Sequence, residues 1–165
     1  MAPILDPLEP PDLKLIYVAA SLTGFMIAAW AEEVVFRGYL LQQMSALTHR
    51  LWLVLLLNGA VFAAFHLEFD PGALAARALV GMVFAWSALR LGGLEFAIGC
   101  HAAQNLGVAL FGEVLLPTSP EAVINAQDMG LEILLAAMIL VSIEGLHRRR
   151  AATSAAAGLP SEPGP

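Results

Sequence analysis

Three stretches of this chain, Leu15–Ala31, Leu51–Leu67 and Phe96–Gly112, contain no Asp, Glu, Lys or Arg. A chain of 165 residues is too small to hide them all from water, because a small globule keeps much of its surface exposed. The solvent that accepts such runs is lipid, whose hydrocarbon core of ~30 Å is crossed by about 20 apolar residues in helical form. Composition agrees: 59% of residues are hydrophobic and 13% charged, with a mean hydropathy of +0.75. An ordinary soluble domain carries about twice that share of charge. The net charge of −6 supplies no broad basic surface, so no nucleic-acid partner is expected. The single cysteine, Cys100, excludes an intrachain disulfide framework and any multi-cysteine zinc site.

The apolar pattern predicts an all-α fold, a polytopic transmembrane bundle of about five helices near 13–47, 51–67, 73–91, 94–111 and 129–147. Asp70-Pro71-Gly72 and Gly92-Gly93 break the pattern, and the longest connection surrounds Pro117 and Pro120. Residues 1–12, rich in proline, and 151–165, small and Pro/Gly-rich, read as disordered tails. The chain therefore divides into a tail (1–12), a membrane domain (13–147), and a basic anchor with a second tail (148–165). The first twelve residues carry Asp6, Glu9 and Asp12 but no basic region, which is no secretory signal. Arg50, Arg90 and Arg148-Arg149-Arg150 fall at one end of the expected bundle. Glu113, Glu121 and Asp128 mark a loop with no basic residue. The positive-inside rule then places the N-terminus outside and the C-terminus in the cytoplasm of a cell membrane. Scarce lysine and abundant alanine favour a bacterial inner membrane. Small residues at four-residue spacing, Ala20/Gly24/Ala28 and Gly99/Ala103/Gly107, predict close helix seams.

An ionisable group at membrane depth costs at least about 2.5–3.5 kcal/mol, so each one calls for a reason. Glu33 and Arg37 are four apart in the first helix and can form an ion pair on one face. Glu32 then points about 100° away, free to face another helix. One arginine cannot fully offset two carboxylates. His66 falls near the end of the second helix, where a lone histidine is more often interfacial than catalytic, and Asn58, Phe62 and His66 share a face. His101 and Asn105 are one turn apart in the fourth helix, a spacing that serves inter-helix hydrogen bonding as well as chemistry. Singly these residues are ambiguous. Together they supply what water activation requires: a base, a partner that orients the water, and donors for a developing oxyanion.

Other intramembrane protease designs fit poorly. No His-Glu-x-x-His, Gly-x-Gly-Asp or Gly-x-Ser-Gly string is present. Cys100 and His101 are neighbours on a helix and point about 100° apart, so they make no catalytic pair. Three motifs occur in order instead: EExxxR from Glu32-Glu33 to Arg37, FxxxH from Phe62 to His66, and HxxxN from His101 to Asn105. In these the chain resembles the CPBP family, the type II CAAX prenyl endoproteases and bacterial bacteriocin-processing or self-immunity proteins. The resemblance implies a glutamate-dependent intramembrane endopeptidase. Glu32 would be the general base activating a water, with His66 helping to hold it. His101 and Asn105 would form the oxyanion site, and Glu33, Arg37 and Phe62 would support the geometry. No cofactor is favoured. A zinc ion is the alternative, with Glu32, His66 and His101 as its ligands. Members usually carry further membrane helices before EExxxR, whereas about twelve non-helical residues precede it here. The chain is thus expected to be a minimal member or to lack its start.

The expected partners are the bilayer and a peptide or membrane-protein substrate. The competing reading is a non-catalytic immunity or scaffold protein binding a peptide or partner protein. A proton relay or small transporter also uses buried Glu and His, but no inverted repeat is visible. Depth poses a difficulty: Glu32 and His66 lie about 22 Å from the cytoplasmic ends of their helices, and His101 about 10 Å. The groups can meet only if the long first helix protrudes at its polar end, around Gln42–Arg50, or tilts.

Overall fold

The structure, a computed structural model, describes residues 4, 6–67, 69–115 and 126–157. The described residues form five helices: α1 (Pro11–Leu47), α2 (Leu51–Phe65), α3 (Pro71–Leu91), α4 (Glu95–Leu115) and α5 (Ala126–Ala156). The all-α bundle expected from the sequence is the fold. Local chemistry sets most boundaries. Pro11 and Pro71 occupy first-turn positions, where a missing N–H is harmless. The Asp70 carboxylate accepts from the Ala73 amide at 2.9 Å, a cap that stabilises by about 1 kcal/mol. α3 ends at Gly92, whose φ of 71° is open to glycine without strain.

α1 and α4 run antiparallel. Tyr17 donates to the Ala109 carbonyl at 3.2 Å toward one end, and Glu33 meets His101 further along. α2 and α3 are also antiparallel and pack most closely at Gly59 and Gly81. A Cβ on Gly59 would fall 2.5 Å from the Ala78 carbonyl oxygen, and one on Gly81 would fall 2.8 Å from the Gly59 Cα. α5 lies parallel to α3, with Val83, Leu91, Ala136 and Ile143 forming their common core. At the arginine-bearing end this pairing is polar. Arg90 binds Glu144 through two 3.0 Å hydrogen bonds, and Arg150 donates to the Leu91 carbonyl at 2.7 Å.

Large apolar side chains cover the outside; Leu15 is 70% exposed and Ile27 62%. Such a surface suits lipid rather than water. The helices spanning Pro11–Leu47, Pro71–Leu91 and Met129–Ala156 are long and apolar enough to cross a membrane. α2 is shorter than expected, 15 residues or about 22 Å. It stops at Phe65 because Leu67 adopts a left-handed φ of 53°, a backbone state unusual for a branched residue. His66 is thereby placed at a helix end.

Several expectations need correction. The last helix does not stop at His147 but continues through Arg148–Arg150 to Ala156. Arginine and alanine are strong helix formers, so a basic anchor and helix are compatible. Residues 158–165 lie outside the described residues, as does the core of the expected acidic loop, 116–125. At the other end Leu8 and Glu9 close a turn on Asp6 before α1 begins at Pro11. The seams expected at Ala20/Gly24/Ala28 and Gly99/Ala103/Gly107 are not where the described helices approach. Ala20, Gly24, Gly99 and Ala103 are exposed, and a Cβ at Gly24, Gly99 or Gly107 would meet nothing within 4 Å. Small residues permit close approach without enforcing it. Cys100 is half-buried.

The two glycine classes make a direct prediction. Gly59→Ala should destabilise the bundle by about 1–3 kcal/mol through overpacking against α3, whereas Gly24→Ala should stay within about 0.5 kcal/mol of the parent. Unfolding of the two variants in detergent distinguishes them, and equal losses would reject the packing described.

Candidate active site

The site is built around an irregularity in α1. Residues Val34–Leu40 form a π-helical segment, so backbone bonds reach one residue further than in an α-helix and Leu41 N–H binds the Phe36 carbonyl. Such widened turns are concentrated at functional positions. Here the segment begins directly after Glu33 and contains Arg37.

Glu33 and Arg37 are fully buried and paired, with Nη1 to Oε1 at 2.9 Å. A buried ion pair stabilises only when further hydrogen bonds and packing offset its desolvation. Both are present. Arg37 Nη2 donates to the Gly81 carbonyl at 3.1 Å, and its guanidinium lies 4.4 Å from the centre of the Phe62 ring, with Phe84 on another side. The carbonyl of a mid-helix glycine can be reached because Gly81 and Gly59 bring α3 tightly against α2.

His101 of α4 closes the cluster. Its Nδ1 is 2.9 Å from Glu33 Oε1, the oxygen already held by Arg37. A carboxylate paired with arginine accepts, so Nδ1 carries the proton and donates. The opposite ring nitrogen, Nε2, lies 3.7 Å from Glu32 Oε2, too long for a direct hydrogen bond yet close enough for both atoms to contact one water. His101 therefore sits between the two adjacent carboxylates. Glu33 is buried, whereas the Glu32 side chain keeps 38% of its exposure. The 100° offset expected between them is the reason they take opposite sides of one imidazole.

His101, Asn105 and His66 line a common cavity of about 380 Å³, together with Phe62, Phe25 and Val80. His66 Nδ1 donates to the Phe62 carbonyl at 2.8 Å, which fixes its tautomer and leaves Nε2 as the acceptor. Glu32 does not line this cavity and reaches the group through His101. Asn58, expected beside His66, bonds elsewhere: its amide donates to the Phe36 carbonyl at 2.8 Å. The depth difficulty is resolved as expected from the long first helix, since α1 overshoots the start of α4 by about 12 Å while Glu33 meets His101. The overshooting end is only partly free: Leu41 and Met44 pack against Val54 and Ala85, leaving Gln42, Gln43 and Leu47 exposed.

Sequence reasoning missed a second polar wall. Gln104, one turn from His101, donates to Glu132 of α5 at 3.4 Å, and Arg77 and Glu132 line the same cavity. An acidic residue, Glu132, at the head of the apolar run 133–141 was the available signal. Among the described residues no three of His, Cys, Asp and Glu, the set Glu32, His66 and His101 included, are gathered as a metal ion requires, and no step below passes through a metal.

The described helices thus hold a buried Glu–Arg–His cluster beside a polar-walled cavity. The family model for type II CAAX prenyl endopeptidase Rce1-like proteins matches residues 14–107, a stretch that contains all three motifs. The chain belongs to that family. Aligned over 100 positions that cover 57% of this chain and 33% of the relative, the chain is 33% identical to the uncharacterized protein YyaK of Bacillus subtilis (strain 168). The chain thus matches about a third of that relative's length. No solved structure matches it.

The buried pair predicts asymmetric mutational costs. Arg37→Met should destabilise by about 3–5 kcal/mol by leaving Glu33 short of its cation, and adding Glu33→Gln should recover part of that loss. Thermal unfolding of the single and double variants measures it; a double variant no more stable than the single would refute the pairing as described.

Proposed function

We propose that the chain is a multi-pass intramembrane endopeptidase of the CAAX-protease type, using Glu32 to activate a water against a peptide bond. The observation that carries this reading is the position of His101 between Glu32 and Glu33, on the wall of a cavity it shares with His66 and Asn105. Glu32 is the one motif carboxylate that is accessible, and the arginine pair leaves it unengaged. A base has to reach water; Glu33, buried and doubly bonded, is instead suited to holding His101.

In this scheme Glu32 takes the proton of a water that attacks the substrate carbonyl. His66, with Nδ1 anchored on its own helix, offers Nε2 to orient that water. The tetrahedral oxyanion is received by Asn105 and His101. For His101 to donate from Nε2 while Nδ1 donates to Glu33, the ring has to be an imidazolium. Glu33 stabilises that cation much as a triad carboxylate stabilises its histidine. The charge count supports this: two carboxylates face one guanidinium, and a cationic His101 balances them. Collapse of the intermediate returns the proton from Glu32 to the leaving amine. The substrate is a peptide or membrane-protein segment reaching the cavity from the bilayer of a bacterial inner membrane, with the arginine-rich end of the bundle cytoplasmic.

Comparing peptide termini in membranes of cells expressing the parent or Glu32→Gln tests this. Cleavage products should fall by about 10²–10⁴-fold, the usual contribution of a general base, while the variant protein remains folded and abundant. A scaffold or immunity protein would keep its phenotype in that variant, and an unchanged terminus profile would reject the enzyme. Zinc provides an independent check. Prolonged treatment with a chelator should leave product formation unaltered and metal analysis should find no stoichiometric zinc; chelator-sensitive cleavage restored by zinc would replace the metal-free scheme.

A further inference from the structure

Asn58 is a fully buried amide in an apolar helix, and none of the steps above uses it. Its NH₂ faces the Phe36 carbonyl at 2.8 Å; a carbonyl only accepts, so this orientation of the amide is required. Its other contacts are weak. The Met44 sulfur is 3.8 Å away, and the side-chain oxygen has no protein hydrogen-bond partner.

The carbonyl it binds is the informative part. Phe36 O already accepts the Leu41 amide in the five-residue bond that defines the widened turn. Asn58 is therefore not needed to satisfy an orphan group, and an apolar side chain of similar size would fill its place without a polar atom to bury. In an α-helix the same carbonyl would take the amide of the residue four along and lie closer to the helix axis. A widened turn is intrinsically disfavoured. A second donor that engages the tilted carbonyl favours the π form over the α form.

The alternative register has a definite consequence. Returning the segment to α geometry removes one residue from the turn and rotates Glu33, just before the segment, by as much as about 100° relative to the helix beyond it, with Arg37, inside the segment, turning through part of that angle. Arg37 would stay with Gly81 or Glu33 would stay with His101, but not both. We infer that Asn58 is a positioning residue: by clamping the Phe36 carbonyl it holds the widened turn in the register that lets one Glu33 oxygen serve Arg37 and His101 together. Asn58 lies on the helix face that also carries Phe62 and His66, so a single face of α2 lines the cavity and sets the register of α1. The importance of this for catalysis rests on the peptidase reading above; the clamp itself does not.

The experiment uses the full chain in lipid nanodiscs with ¹⁵N-labelled histidine. Hydrogen-bonded to a buried carboxylate, His101 Nδ1–H should give a downfield proton signal, assigned by its loss in His101→Gln. Asn58→Leu, which keeps the volume and removes the donor, should abolish or displace that signal in a protein that still unfolds cooperatively. Asn58→Thr, a gentler change whose hydroxyl is too short to reach Phe36, should do the same and decides the matter if the leucine variant does not fold. Ser87→Ala is the control, because Ser87 is equally buried but bonds only within α3; its spectrum should match the parent. The parent signal in any folded Asn58 variant, or an equal loss in Ser87→Ala, overturns the proposal. No cleavage is needed for this readout, so an inactive protein that loses its signal on Asn58 substitution would support the clamp while sinking the peptidase reading.

Discussion

One oxygen of Glu33 accepts from both Arg37 and His101, at 2.9 Å in each case, where neither water nor lipid can replace a lost partner. A charge in that position constrains the surrounding helices far more than apolar contacts do, since sliding a leucine by an ångström changes little and sliding a buried ion pair exposes an unpaired charge. To keep the bond to His101, α4 has to lie antiparallel to α1 at one depth. To keep Arg37 on the Gly81 carbonyl, α3 has to present a bare stretch of backbone, which requires glycine on both sides of the α2–α3 contact. The glycine pair, the widened turn and the overshoot of α1 follow from that single shared oxygen.

Much of this was legible in the sequence because helical spacing is explicit. Glu33 and Arg37, Phe62 and His66, and His101 and Asn105 are each four apart, so each pair was confined to a face before any packing was known. The offset between Glu32 and Glu33 was equally plain, and it accounts for one being buried and the other accessible. What could not be read was which faces meet. Ala20/Gly24/Ala28 and Gly59/Ala63 both have the spacing of a packing seam, yet it is Gly59 that makes the close contact. Its partner Gly81 is on another helix, and no spacing within one segment encodes that match.

The widened turn was invisible for a different reason. Nothing in Val34-Val-Phe-Arg-Gly-Tyr-Leu40 marks it, and its energetic support comes from Arg37 bonds to α3 and an amide on α2. Local sequence reports local preference, and here tertiary contacts override it. The extent of α5 was missed in the opposite direction. The basic triplet was read as the end of a span, whereas arginine followed by alanine favours helix, and Arg150 has a carbonyl of α3 to bind.

Two carboxylates on consecutive residues pose a question that burial alone answers. If both were accessible they would compete for one water; if both were buried the site would hold an uncompensated charge. Placing His101 between them separates the roles without separating the residues. Glu33 is buried away from solvent and holds Arg37 and Nδ1 of His101 through one oxygen, which makes it an orienting anion. Glu32 touches the same imidazole only at 3.7 Å and retains access to solvent. An imidazole so placed can pass the influence of a buried ion pair to a group at the cavity wall. Arg37, which does not itself line the cavity, acts there by fixing the charge of Glu33.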